Sequence, residues 1–304
     1  MRTIYMMPKC ILFLAAALSF QVASAADFQK TWDDAANRRI TIFTLHGDIK
    51  LSGYDGINIE ILAVKKGLDS ELVEIQDASF ENQISIFPKY LESVRTNATV
   101  DFEIRVPKEI FYNAEPRIKP QVGRASGQRF QRFPGEPPAT PGSPPPPGPP
   151  MLPYPKPPGP LPPGGGQFSH SIYLKSNSGR ITISDVAGSI RVEGRDIEVR
   201  NIEGTLYAYS TSGDIKGVLK QASRSSALQF SSSSGNISVQ APNDISAQIS
   251  IQSSTGQVKT DFPLETRELR YGSGKFVQGK LGDGNNIINI RSLSGAINFL
   301  KKPS

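Results

Sequence analysis

The octapeptide Tyr209–Lys216 reads YSTSGDIK, and its pattern recurs along the chain: hydroxyl residues, a Ser-Gly pair, one polar residue and an isoleucine or valine. The other strong copies are Lys175–Ile183, Ser232–Val239, Gln252–Val258 and Arg291–Phe299, with lesser ones at His46–Leu51, Gly188, Gly204 and Gly274. Because an apolar residue lies two positions after each glycine, and is isoleucine or valine in the strong copies, the pattern indicates a short strand that begins at a glycine corner.

The glycines of these copies are almost evenly spaced. Gly213 to Gly235 is 22 residues, Gly235 to Gly256 is 21, Gly256 to Gly274 is 18, and Gly274 to Gly295 is 21. A near-constant step of this size is typical of a β-solenoid, in which each coil buries its apolar face against the next coil. Shorter steps of 9 residues suggest two strands per coil. The sequence therefore predicts an all-β fold, a parallel β-solenoid of short strands with glycines at its corners.

Every part of YSTSGDIK has a structural explanation. Glycine adopts a positive φ without strain, so we expect Gly213 and its equivalents to bend the chain between strands in that conformation. The preceding hydroxyls can bond to backbone groups of the turn. Ile215 then points into the core, and its neighbours face solvent.

A catalytic or phosphate-binding role fits the same stretch poorly. A nucleophile elbow, G-x-S-x-G, needs a glycine two residues before the serine, whereas Ser212 has Ser210 there. A Walker loop needs G-x-x-x-x-G-K-[ST], which the sequence lacks. We therefore predict no catalytic residue in the repeats.

The sequence also predicts no metal site and no cofactor. His46 and His170 are the two histidines, and they are far apart without an H-x-x-x-H spacing. Asp283 lies in GDGNN, which is similar to calcium-binding β-roll repeats but has no tandem partner. A tight turn is the favoured interpretation there, and an exposed corner is favoured for His46.

A carbohydrate-active enzyme, a polysaccharide lyase or glycosidase on a β-helix, is the alternative function. Sugar hydrolysis needs two carboxylates within several ångströms of each other. The pairs that are close in sequence are Asp48 with Asp55, Asp185 with Glu193, and Glu198 with Glu203. This alternative predicts one groove in which acids and bases are clustered.

Residues 1–25 have the features of a secretory signal peptide. Arg2 and Lys9 supply positive charge, Cys10–Phe20 is an apolar run too short to span a bilayer, and Ala23–Ala25 is an A-x-A cleavage site. We expect export to the periplasm or the cell surface. The signal peptide contains the chain's one cysteine, so the mature protein has no disulfide.

Composition divides the mature chain into three segments. Residues 26–116 form an N-terminal β segment, in which apolar and polar residues alternate as in strands. Residues 117–168 form a proline-rich linker or insertion, and residues 134–163 contain 17 of the 25 prolines. Proline lacks an N–H and fixes φ, so this segment cannot join a sheet. Residues 169–304 form the repeat β-solenoid segment.

Charge gives little information about partners. The net charge of the full chain is +6, and no long basic run is interleaved with aromatic residues, so nucleic-acid binding is not predicted. Five basic residues precede the proline tract, as expected for a solvated linker or a weak contact with an anionic surface polymer. They are Arg117, Lys119, Arg124, Arg129 and Arg132.

Three pieces, Ser178–Ile183, Ile249–Phe262 and Ile288–Ile297, carry a resemblance to a known family. They resemble the bacterial "putative adhesin" β-strand-repeat proteins of unknown function, which are related to auto-transporter adhesin head domains. The resemblance covers most of 40–110 and 169–302. It implies a β-repeat fold and no catalytic residues, and the proline tract departs from the family pattern.

These observations favour an exported, non-enzymatic surface or envelope protein, an adhesin or a scaffold. Its partner would be a cell-surface glycan or an envelope protein, bound through repetitive strand faces rich in serine and threonine. The mature chain has no predicted transmembrane segment. The proline tract offers a second route to an envelope partner, since P-x-x-P segments dock into aromatic grooves.

Overall fold

The computed structural model describes residues 26–33, 35, 38–90, 97–110, 171–220, 225–268 and 274–303. The predicted signal peptide, residues 1–25, and the proline-rich segment 117–168 lie outside these ranges. Within them the expectation of an all-β fold is confirmed: the chain forms strands, one turn of 3-10 helix at Ser70–Leu72, and no α-helix.

The strands are numbered in chain order. They are β1 (Phe28–Trp32), β2 (Arg39–Thr44), β3 (Ile49–Tyr54), β4 (Ile59–Lys66), β5 (Val73–Asp77), β6 (Gln83–Tyr90), β7 (Thr99–Pro107), β8 (Glu109–Ile110), β9 (Ile172–Ser176), β10 (Arg180–Ser184), β11 (Ala187–Gly194), β12 (Asp196–Arg200), β13 (Glu203–Ser210), β14 (Ile215–Val218), β15 (Ala227–Ser232), β16 (Ile237–Ala241), β17 (Ala247–Ser253), β18 (Val258–Thr260), β19 (Glu265–Glu268), β20 (Lys275–Leu281), β21 (Asn286–Ser292) and β22 (Ile297–Lys301).

These strands form two sheets. The first sheet has the order β1-β4-β7-β3-β10-β12-β14-β16-β22-β18. The second has the order β19-β20-β17-β21-β15-β13-β11-β9-β2-β6-β5, with β8 beside β11. Pairing is parallel through the middle of both sheets, and the antiparallel pairs lie towards their ends. We call a strand of the second sheet, together with the first-sheet strand that follows it, a rung.

The two β segments form one continuous stack. Rung β9–β10, which follows the proline-rich segment, pairs directly with rung β2–β3, which precedes it. Strand β8 ends at Ile110 and β9 resumes the same row beside β11, with Ile110 opposite Gly188 and Ile172 opposite Ile190. The Ser171 hydroxyl donates to the carbonyl oxygen of Ile110 at 3.3 Å. The described residues that flank 111–170, Ile110 and Ser171, are therefore adjacent in a single strand row beside β11.

The order of the last rungs differs from the order along the sequence. The final rung, β21–β22, lies between β15–β16 and β17–β18 and pairs in parallel with both. Gly274 precedes β20, which runs antiparallel to β17. The 18-residue step from Gly256 to Gly274 is therefore not a repeat step, because the chain reverses direction there before it enters the stack.

Apolar side chains form continuous ladders between the two sheets. One register position of the first sheet places isoleucine on six successive rungs, and each side chain is fully buried or nearly so. They are Ile49, Ile181, Ile197, Ile215, Ile237 and Ile297. The expected inward orientation of Ile215 is confirmed. Stacking equivalent side chains removes from water an apolar face that a lone rung would expose.

The corner glycines are required for close approach. A Cβ on Gly179, Gly213, Gly235, Gly256 or Gly295 would lie 1.7–2.3 Å from a carbonyl oxygen of the neighbouring rung. None of these five has a positive φ; the equivalent Gly47 does, at +132°. The expectation that Gly213 bends the chain through a positive φ is therefore wrong. Glycine is needed there because the next backbone occupies the space of a side chain.

A buried hydroxyl lies three residues before each of these glycines. The Ser210 Oγ accepts the N–H of Gly213 at 3.0 Å and donates to the carbonyl oxygen of Arg195, in the adjacent rung, at 2.6 Å. Its equivalents, Ser176, Ser232, Ser253 and Ser292, also accept the N–H of their own corner glycine, at 2.8–2.9 Å. The hydroxyls therefore satisfy polar backbone groups that the turn would otherwise leave buried and unpaired.

Carboxylate and amide oxygens form a second ladder just after the corner. Asp214 Oδ1 accepts the N–H of Asn236 at 2.9 Å, and Asn236 Oδ1 accepts the N–H of Ala296 at 3.0 Å. Asp196 Oδ1 accepts the N–H of Asp214 at 3.2 Å. The Asp of YSTSGDIK thus links its rung to the next one.

We expect Gly235→Ala to destabilise the protein strongly, by about 3 kcal/mol or more, since its Cβ would lie 1.7 Å from the Gly213 carbonyl oxygen. Gly217→Ala is the matched control: its Cβ would meet only side-chain atoms, at 3.3 Å or more. It should cost about 1 kcal/mol, because a slight overlap with side chains that can shift is partly offset by the lower backbone entropy of alanine in the unfolded chain. Urea unfolding measures both values, and equal effects would contradict the close-approach argument.

The rung order predicts which cysteine pair can form a disulfide. Ser238 on β16 is directly opposite Asn298 on β22, and Lys259 lies beyond Asn298 on β18. Strand spacing gives Cα separations of about 5 Å for Ser238–Asn298 and about 10 Å for Ser238–Lys259. Mild oxidation should therefore cross-link Ser238→Cys/Asn298→Cys and leave Ser238→Cys/Lys259→Cys reduced. The reverse outcome would mean that the rungs stack in sequence order.

Candidate functional site

The outer face of the second sheet carries a group of aromatic and charged side chains on three adjacent strands, β9, β11 and β13. We call Tyr173, Lys175, Arg191, Glu193, Tyr207 and Tyr209 the tyrosine–arginine patch. Parallel register places them in two rows: Tyr173, Arg191 and Tyr207 are opposite one another, as are Lys175, Glu193 and Tyr209.

Arg191 lies between two tyrosine rings. Its guanidinium carbon is 5.9 Å from the ring centroid of Tyr173 and 5.0 Å from that of Tyr207. Its Nε donates to Glu193 Oε1 at 2.8 Å, and the Tyr173 hydroxyl donates to Glu193 Oε2 at 3.2 Å. Cation–π contacts and a charge-assisted hydrogen bond hold the patch in one geometry. It is therefore preorganised before a ligand arrives.

The patch shifts the acidity of two phenols. Burial, reinforced by the negative charge of Glu193 and the hydrogen bond to it, raises the pKa of Tyr173 to about 12. Burial also raises the pKa of Tyr207, while Arg191 opposes that rise. Both rings are neutral at physiological pH, and Tyr173 serves as a hydrogen-bond donor.

A notch opens beside the patch because one corner of the stack is short. Four residues lie between Ser176 and Ile181 and between Ser210 and Ile215, whereas only two lie between the equivalent Gly194 and Ile197. Rung β11–β12 thus lacks the Ser-Gly loop of both its neighbours. The resulting cleft has a volume of about 420 Å³, within the range of small-ligand sites.

The notch has a polar lining. Its walls are the patch residues Lys175, Glu193 and Tyr209 and the corner residues Ser176, Asn177, Gly194, Arg195, Thr211 and Ser212. The Tyr209 hydroxyl is within hydrogen-bond distance of Ser233 Oγ, at 3.2 Å, which fixes the ring at one side. The stretch YSTSGDIK therefore contributes a buried structural serine, Ser210, and three exposed or half-exposed side chains to a cleft.

A second groove lies on the same sheet face, towards the other end of the stack. It has a volume of about 620 Å³. It is lined by Gln248, Ile249, Ser250, Pro263, Glu265, Gln278, Gly279, Lys280, Ile287 and Asn289. No aromatic ring is among these residues, so the groove lacks the stacking surface that Tyr209 gives the notch.

The acidic pairs that the enzyme alternative requires are not brought together. Asp48 and Asp55 lie at opposite ends of β3, roughly 20 Å apart by strand rise, and Asp185 and Glu193 are separated by the length of β11, roughly 25 Å. Glu198 belongs to the first sheet and Glu203 to the second. Sugar hydrolysis needs about 5–10 Å between carboxylates.

These acids have structural partners instead. Asp55 pairs with Lys108, Glu198 with Arg200, and Glu203 with Lys220. Asp185 accepts a hydrogen bond from the Asn201 side chain at 2.9 Å. Within the described residues, then, none of the three pairs forms a two-carboxylate site.

His46 is an exposed corner residue, as predicted, with Nδ1 2.9 Å from Ser178 Oγ. His170 lies outside the described residues. The part of the chain that the structure describes contains no group of three or more His, Cys, Asp or Glu side chains arranged to hold a metal ion. It also contains no helix with the length and hydrophobicity needed to span a bilayer.

The sequence alone does not single out the patch or the notch, because the repeat copies resemble one another. Two signals were available. Tyr173 and Tyr207 each lie three positions before the buried serine of their copy, and Arg191 lies three positions before the equivalent Gly194, so aligning the copies places the three residues in one row. The segment Gly194-Arg195-Asp196 also breaks the Ser-Gly pattern where a copy is due.

Comparison with known proteins supports a repeat-family resemblance for the second segment. Residues 168–299 match the family model described as Toastrack DUF4097. A comparison with curated proteins gives no match. The match agrees with the resemblance to a β-repeat family of unknown function, whereas the relation to auto-transporter head domains stays a prediction.

Two solved structures resemble the chain at low identity. One is a "putative cell adhesion protein" from Clostridium sporogenes ATCC 15579, with a TM-score of 0.41, 11% identity, and coverage of 90% of this chain and 99% of that chain. The other is a "putative adhesin" from Bacteroides fragilis NCTC 9343, with a TM-score of 0.30, 13% identity, and coverage of 90% and 96%.

The raised pKa of Tyr173 predicts a late titration. Its neutral hydroxyl contributes stability that is fully present below about pH 10 and is lost as the pH rises through about 12. In a ¹³C-tyrosine NMR titration, with the resonance assigned by Tyr173→Phe, Tyr173 should stay mostly neutral at pH 11. An ordinary tyrosine is about 90% ionised there. Glu193→Gln should lower the pKa of Tyr173, and a wild-type midpoint near 10 would contradict the burial of this phenol.

Proposed function

We propose that this protein is an exported, non-enzymatic binding protein of the bacterial surface or envelope, an adhesin or a scaffold. The observation that carries the proposal is the tyrosine–arginine patch, in which Arg191 is held between Tyr173 and Tyr207 on a rigid sheet face. Aromatic and arginine side chains fixed by packing supply contact area at low entropic cost, as binding surfaces require.

The proposed scaffold is a β-solenoid in which the chain passes from sheet to sheet through glycine corners. Its surface repeats along the stack, so a long polymer can contact several rungs at once. The strands of the middle rungs are paired on both sides, as with β11 between β9 and β13. Binding there therefore depends on side chains, since the backbone donors and acceptors are already used.

The features of residues 1–25 support export to the periplasm or the cell surface. Cell fractionation with and without these residues tests this part. The proposed location requires that the full-length chain is found in the periplasm or at the surface and that the truncated chain stays in the cytoplasm.

Binding is tested with the chain beginning at Ala26, applied to a glycan array and to intact bacterial cells. Tyr173→Ala/Tyr207→Ala removes both rings beside Arg191 and should weaken binding at least tenfold, since stacked aromatic contacts contribute strongly to recognition. Tyr54→Ala is the matched control, because Arg105 lies 4.8 Å from the Tyr54 ring centroid outside the patch. It should bind as the wild type does.

Two further arms complete the experiment. Joining Ile110 to Ser171 removes residues 111–170 at a point where the chain ends meet, and this protein should still bind if the patch is the contact surface. Turnover of any arrayed glycan at an enzymatic rate would contradict the non-enzymatic proposal. So would the absence of binding to all glycans and cells.

A further inference from the structure

We propose that the notch at the short corner of rung β11–β12 is a binding site for an acidic saccharide, a sugar residue that bears a carboxylate. This inference deepens the proposed function and rests on it, since it names the ligand class of the same surface. It starts from the missing corner loop, which leaves a cleft of about 420 Å³ between two complete corners. A cleft of this size holds one sugar residue or two.

The charges of the notch favour an anion. Lys175 and Arg195 bring two positive charges to the lining, and Glu193 brings one negative charge. The Glu193 carboxylate already accepts from Arg191 and from the Tyr173 hydroxyl, so its charge is compensated within the patch. The Lys175 ammonium is 3.8 Å from Glu193, a longer ion pair that leaves room for a second carboxylate.

Arg195 is placed to receive that carboxylate. It is exposed at the tip of the short corner, and the described residues include no carboxylate within ion-pair distance of its guanidinium. The planar guanidinium binds carboxylates through two parallel hydrogen bonds. The backbone of Arg195 is held in place, because its carbonyl oxygen accepts a hydrogen bond from the buried Ser210 hydroxyl at 2.6 Å.

The remaining lining favours a sugar over a peptide. Asn177, Thr211 and Ser212 offer an amide and two hydroxyls to ring hydroxyls, and Tyr209 offers an aromatic face for the C–H face of a sugar. An acidic peptide would need an apolar side-chain pocket or a free strand edge. The lining contains no aliphatic side chain, and the adjacent strands β9, β11 and β13 are paired on both sides.

The test uses trigalacturonic acid as the probe, with the chain beginning at Ala26 and isothermal titration calorimetry at low and moderate salt. We expect binding that weakens as NaCl rises, because screening reduces the attraction of exposed charges. Arg195→Gln should weaken binding at least tenfold. Arg200→Gln, on the outer face of the first sheet, should leave it unchanged.

Two further probes test the ligand class. The methyl ester of trigalacturonic acid, which has the same ring skeleton without charge, should bind at least tenfold more weakly than the acid. A triglutamate peptide should also bind more weakly, and equal or tighter binding of either probe overturns the proposal. NMR shift changes confined to residues outside the notch would overturn it as well.

The outcome is separable from that of the proposed function. If cells or arrayed glycans bind through the tyrosine–arginine patch while Arg195→Gln binds trigalacturonic acid as the wild type does, the notch inference fails and the proposed function stands. If the protein binds no glycan and no cell, both fail. Loss of trigalacturonic acid binding in Arg195→Gln with an unchanged thermal unfolding midpoint supports the notch directly.

Discussion

The stack depends on one close contact, in which a carbonyl oxygen of one rung occupies the space of a side chain on the corner glycine of the next. At Gly235 the oxygen of Gly213 would lie 1.7 Å from a Cβ. Glycine allows this approach, and the buried serine three residues earlier accepts the N–H that the turn would leave unpaired. Together they let strand pairing continue on both sides of the corner.

The candidate site arises where this arrangement is interrupted. Rung β11–β12 keeps its strands in register with its neighbours but lacks the serine–glycine loop. Pairing on both sides holds the rung in place, so a shorter corner leaves a notch without a local collapse of the stack. The ordered tyrosine–arginine patch then continues from the notch along the same sheet face.

The sequence predicted the strand content and the repeat unit well, because both follow from local patterns. Isoleucine after each Ser-Gly pair indicated a buried ladder, and the structure places Ile215, Ile237 and Ile297 in it. It could not predict that β21–β22 inserts before β17–β18, since either rung presents a similar apolar edge. It could not predict the reason for glycine either, because a positive φ and a close backbone approach require the same residue.

Site prediction failed for a related reason. Tyr173, Arg191 and Tyr207 are ordinary residues in three separate repeats, and only the register makes them neighbours. The cleft arises because the corner of rung β11–β12 is two residues shorter than the corners of its neighbours, and a search for motifs does not detect a shortened corner. Candidate pairs chosen by closeness in sequence, such as Asp185 and Glu193, end up at opposite ends of one strand because an extended chain separates them quickly.

Native-state hydrogen exchange tests the corner contact most directly. The amides of Gly213, Gly235 and Gly295 lie outside the strands but donate to buried serine hydroxyls at 2.8–3.0 Å. We predict that these glycine amides exchange as slowly as the amide of Ile237, a core strand residue, because their hydrogen bonds to the serines break only when the rungs separate. Exchange of these glycine amides at the rate of an unstructured loop, with Ile237 still protected, would contradict the account.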